Sequence, residues 1–249
     1  MGDSYRALCS DFYLNQKLTV RLELPRTRET VLELFERVRR RFPSMSQFRR
    51  FRDELALESA SADLPQRWAA VRPTSVRSGV VNPESPTEAE SLHRHLLETV
   101  PYFLSVSPLD IESLELLFGF DLECGGNHDS VIHDALLAGS PLARLLEMSS
   151  ATPVECQPML AVSLGEGSGL EAQVEVKSRS TADHPRESMI DSGEPISVYL
   201  TVRRTAPFDS VEELPEALDD LLRVGREIVD GRLVEGMLVP LRDAIGFNS

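Results

Sequence analysis

The chain has 249 residues, 41% hydrophobic and 27% charged, which is ordinary globular usage, excludes a low-hydrophobicity disordered polymer and suffices to bury a core. No window approaches eighteen uninterrupted apolar residues, and Met1 to Asp11 has no basic region leading into an apolar run, so neither a membrane span nor a secretory signal is predicted. The net charge of −14 is split: residues 1–82 hold 15 Arg+Lys against 10 Asp+Glu and residues 83–249 hold 11 against 30, so general nucleic-acid binding is disfavoured although a local basic patch can act at close range.

Lys17 to Leu24 alternates apolar and polar residues, the period of a half-buried strand. From Arg28 to Phe42, Val31, Leu34, Phe35, Val38 and Phe42 recur at three and four, one stripe of an amphipathic helix that Pro43 and Ser44 end. Leu55 to Glu58 and Trp68 to Val81 read as strands separated by the turn Asp63 to Pro65. Ser85-Pro86-Thr87-Glu88 combines a cap, a first-turn proline and a back-bonding glutamate ahead of a helix carrying Leu92, Leu96 and Val100.

After Pro108 the order restarts. Leu114 to Glu123 reads as a strand, Asn127 as the cap of a helix, and Ser140-Pro141 as the start of a second short helix. Met159 to Leu164 and Leu170 to Lys177 form a hairpin around Gly165 to Gly169, Ile196 to Arg203 is a last strand, and a helix begins near Ser210 or Pro215. Segment 178–195 has few apolar residues and is expected to be a hairpin loop or a lid.

This succession predicts an α+β fold made of an internally duplicated strand-helix-strand-strand-helix unit, with an antiparallel sheet and helices packed on one face. The first repeat spans 1–106 and the second 107–249, packed as one continuous unit. Val76-Arg77 leading into SPTEAESLHRHLL and Val202-Arg203 leading into SVEELPEALDDLL carry the likeness. At the level of architecture the result resembles the duplicated helix-on-sheet folds, a likeness that implies no activity.

The densest charge run is Arg37, Arg39, Arg40, Arg41, Arg49, Arg50 and Arg52, interleaved with Phe42, Phe48 and Phe51. Guanidinium groups beside aromatic rings suit phosphates, bases or an acidic protein surface. A second cluster, Cys124, His128 and Asp129 with His133 and Cys156, holds residue types able to serve a thiol or a metal. Within it, Gly126-Asn127-His128-Asp129 is similar to a short motif of the calcineurin-like metallophosphoesterases. The Asp-x-His and Gly-Asp-x-x-Asp segments that family needs are missing, and helix-end capping by Asn127 accounts for the motif. His128 and His133, five apart, are expected to point to different faces of a helix, so no metal or other cofactor is assigned. His93 and His95 are expected at the surface or its rim.

The function these residues support is a cytoplasmic protein-interaction or scaffold module, self-associating through its basic and acidic surfaces. Three widely spaced cysteines fit a reducing compartment. The alternatives are a metal- or thiol-dependent hydrolase centred on Cys124 to His133 and nucleic-acid binding through the Arg37 to Arg52 patch.

Overall fold

A computed structural model describes residues 5–60, 62–148, 150–165, 167–178 and 194–248. The strands are β1 (Asp11–Val20), β2 (Met45–Arg50), β3 (Leu55–Ser59), β4 (Gln66–Arg72), β5 (Ser75–Val81), β6 (Ile111–Leu122), β7 (Met159–Ser163), β8 (Leu170–Lys177) and β9 (Ile196–Thr205). The helices are α1 (Arg28–Arg41), α2 (Pro86–Phe103), α3 (His128–Ile132), α4 (Glu213–Ile228) and α5 (Val239–Asn248). All nine strands join one antiparallel sheet in the order β2-β3-β4-β5-β1-β6-β9-β8-β7.

Strict alternation on β1 buries Phe12, Leu14, Gln16, Leu18 and Val20 on one face, because successive side chains leave a strand on opposite sides. Register extends that face sideways: Leu14 lies opposite Val80 and Phe118, and Phe118 opposite Leu200, all four buried. Helices α1, α2 and α4 cover it. Phe35 of α1 packs edge-on against Phe48 at 5.9 Å, His93 of α2 meets Ser78, and Gly225 lets α4 settle on Phe118, whose ring a Cβ there would overlap.

The opposite face is polar and laced with ion pairs and hydrogen bonds. Glu115 takes Lys17 at 3.4 Å and Arg203 at 2.8 Å, while Asp121 accepts from the Tyr13 hydroxyl at 3.2 Å and Ser197 Oγ at 2.6 Å. Trp68 lies over Gly79 and Tyr13 over Gly119, positions where a Cβ would collide with the rings.

The antiparallel sheet and its helices match the expected class, but the expected unit has too few strands. Among the described residues, 1–106 hold five strands and two helices, while four strands follow in the remainder. Trp68 to Val81 is a hairpin and not one strand, because Pro73-Thr74 turns the chain between two apolar runs. Strand β2 escaped notice because only Met45 along it is buried, the pattern of an exposed edge. β1 begins six residues earlier than its apolar alternation suggested, since the inward position 16 is a glutamine. Helical structure also continues past α4 through a π-helical stretch, Val229–Leu238, into α5. Of segment 178–195, residues 179–193 lie outside the described residues.

Candidate functional site

A groove of about 720 Å³ lies between α1 and α2. Its two walls follow from helical spacing. On α1, Val31, Leu34, Phe35 and Val38 face the core, which turns Leu32, Glu36 and Arg40, and beside them Glu33 and Arg37, toward α2. On α2, Leu92, Leu96 and Val100 are buried, which turns His95, Glu98, Thr99 and Tyr102 toward α1. Thr27 accepts from the Thr30 amide and fixes the start of α1. Phe42, just past its end, packs edge-on against His95 at 5.9 Å.

His95 is only 5% exposed and bonds the backbone of Arg37, while its Nε2 has no partner among the described residues. Donation to the Arg37 carbonyl leaves Nε2 as an acceptor. Burial lowers its pKa, and the Arg41 and Arg37 charges push the same way, so the ring is neutral near pH 7. The Thr99 hydroxyl is already directed to the carbonyls of His95 (2.8 Å) and Leu96 (3.2 Å). The groove lining therefore offers two exposed guanidinium groups, the carboxylates of Glu33, Glu36 and Glu98, and apolar contact at Leu32, Tyr102 and Phe103, with the neutral His95 ring buried in its wall.

The arginines of the sequence patch gather at this end of the molecule in two groups. Arg37, Arg39, Arg40 and Arg41 occupy the last turns of α1, where cations complement the helix dipole. Arg49 and Arg50 lie on the edge strand β2, with Arg52 just beyond it. Arg39 pairs with Glu36 at 2.9 Å and Arg49 with Glu58 at 3.5 Å. Sequence reasoning found Arg37 and Arg40 but missed their partner in the groove. His93 and His95 were expected at the surface, yet both are buried. Their spacing does send them to different neighbours: His93 to Ser78 beneath α2, and His95 to α1.

The Cys124 cluster lies where β6 runs into α3. Asn127 caps that helix by accepting from the Ser130 amide at 3.1 Å. Asp129, 2% exposed, accepts from the Cys156 amide at 2.8 Å and Ser178 Oγ at 2.7 Å. His128 Nε2 lies 3.0 Å from the Cys124 carbonyl, while His133 Nδ1 lies 3.1 Å from Asp134. Burial raises the pKa of both Cys124 and Cys156, the direction that suppresses thiolate. Among the described residues, no group of three or more His, Cys, Asp or Glu side chains is placed to hold a metal ion.

A second basic and aromatic surface, unseen in the sequence, lies on the uncovered sheet face. There Arg77 stands over Trp68 at 5.6 Å and Lys177 over Tyr199 at 5.8 Å, so the chain's own cations already occupy one face of each ring. No protein-family model matches the chain, and no curated protein matches it significantly. Among the described residues, no helix is long and apolar enough to cross a membrane.

Proposed function

We propose that the protein is an interaction module whose α1–α2 groove receives an amphipathic segment of a protein partner. Leu32, Tyr102 and Phe103 take its apolar side, and Arg37 and Arg40 its acidic residues. The observation that carries this reading is the groove itself: about 720 Å³ between two helices, lined by apolar side chains and two exposed arginines, with a buried, neutral His95 whose Nε2 has no partner among the described residues. A second copy of the chain is one source of the acidic segment, since residues 83–249 hold 30 Asp+Glu against 11 Arg+Lys. Protein is favoured over nucleic acid because the net charge of −14 opposes a phosphate backbone.

Two further readings accompany it. The three unpaired cysteines support a cytoplasmic protein. Internal duplication is supported by strand order, which runs outward from the central β1–β6 pair as β5-β4-β3, with β2 added at the edge, on one side and β9-β8-β7 on the other.

The test is fluorescence anisotropy with two probes: a labelled amphipathic peptide with glutamates on its polar face, and a labelled single-stranded oligonucleotide. The peptide binds, weakens as salt rises, and loses at least tenfold in affinity with the paired substitutions Arg37→Glu and Arg40→Glu. Retention of the oligonucleotide in its place, abolished by the same pair, would replace the reading with nucleic-acid binding.

A further inference from the structure

The two edges of the sheet are built differently. Edge strand β2, MSQFRR, ends in Arg49 and Arg50, a charged edge of the kind that discourages pairing with another sheet. Edge strand β7, MLAVS, carries no charge and no proline, and every residue on it is exposed. Met159 is 64% exposed, Leu160 68% and Val162 44%, and Leu142, Leu145 and Met148 are also exposed in the segment leading into it.

Among the described residues no strand pairs with the outer side of β7, and its backbone is polarised toward that side. The Leu164 amide bonds the Leu170 carbonyl at 2.8 Å and the Val176 amide bonds the Pro158 carbonyl at 3.0 Å. In an antiparallel ladder the bonded residues alternate, so Leu160 and Val162 are the ones paired with β8. The N–H and C=O groups of Met159, Ala161 and Ser163 therefore project away from the sheet.

We propose that β7 pairs antiparallel with β7 of a second copy of this chain, joining two nine-stranded sheets across a twofold axis at Ala161. A second copy suits this edge better than a foreign strand because MLAVS is self-complementary. Ala161 meets Ala161, Met159 meets Ser163, and no charge enters the contact, whereas β2 carries two arginines along its edge. Met159, Leu160 and Val162 put exposed apolar side chains on both faces of the paired strands, because successive residues of a strand point to opposite sides. This contact is independent of the groove and, being apolar and backbone-mediated, insensitive to salt.

The test is sedimentation velocity of the full chain in 1 M salt, which screens any association through charge, with amide hydrogen exchange on the same sample. The wild type sediments as a dimer with the Met159, Ala161 and Ser163 amides protected. Ala161→Pro removes an outward amide that β8 does not use, and Leu160→Lys charges the interface. Each yields a monomer with unchanged circular dichroism, while the Arg37/Arg40 pair of substitutions leaves the dimer intact. A wild-type monomer at 100 µM would overturn the proposal, as would a dimer that survives both β7 substitutions or exchanges all three amides freely.

Discussion

Ser78 Oγ on β5 lies 2.8 Å from His93 Nδ1 on α2, and the same oxygen donates to Gln16 Oε1 on β1 at 3.0 Å. A hydroxyl has one hydrogen, so donation to Gln16 makes His93 Nδ1 the protonated nitrogen. This polar link is wholly buried between the sheet and the helix, and burial pushes the His93 pKa down to about 3.

Stability therefore falls in mild acid. Above pH 6.5 the ring is neutral in both folded and unfolded chains and contributes no pH dependence. Below it the unfolded chain takes up a proton that the folded chain refuses, so unfolding becomes easier by about 1.4 kcal/mol per pH unit until about pH 3. Urea denaturation from pH 7 to pH 4 checks this. With His93→Gln, which retains a polar side chain, that component of the slope disappears.

Gly225→Ala is expected to destabilise by about 1–3 kcal/mol despite the better helix propensity of alanine, because its Cβ would enter the space of the Phe118 ring. Gly236→Ala makes the contrast. Nothing lies within 4 Å of a Cβ there and the residue is exposed, so the same change raises stability by about 0.5–1 kcal/mol. Melting temperatures of the two variants should move in opposite directions.

Thiol chemistry should be slow in the folded state. Burial pushes Cys9 up to about 12 and raises Cys124 and Cys156 as well. At pH 8, three thiols per chain should react with a disulfide reagent only in denaturant. Rapid native labelling of Cys124 would instead favour the thiol-hydrolase alternative.

Much of the fold was legible where one local rule dominates. The β7–β8 hairpin shows in its glycines, α1 in the stripe Val31, Leu34, Phe35 and Val38, and α3 in the Asn127 cap. The misses involve long-range compensation. Gln16 looks like a break in β1 until Ser78, 62 positions away, donates to its Oε1. His95 reads as a surface residue until α1 closes over it, since nothing near it in sequence announces Phe42 or the Arg37 carbonyl. The arginine run was visible as charge, but sequence alone could not show that Arg37 and Arg40 face a groove while Arg49 and Arg50 mark a sheet edge.

Asp129 separates a structural role from a catalytic one. Its Oδ1 accepts from both the Cys156 amide and Ser178 Oγ, so one carboxylate ties the start of α3 to the segment before β7 and to the end of β8. Removing it strands a buried amide, and a buried donor without a partner costs about 1–3 kcal/mol. Asp129→Ala is thus expected to lose about 3 kcal/mol in urea denaturation, with Asp129→Asn, which retains one acceptor oxygen, losing less. The local consequence is sharper. With its amide released, Cys156 should become reactive under native conditions while Cys9, beside Asp121 on the neighbouring strand β6, stays protected. A catalytic carboxylate would behave differently: both substitutions would leave stability and Cys156 labelling close to wild type.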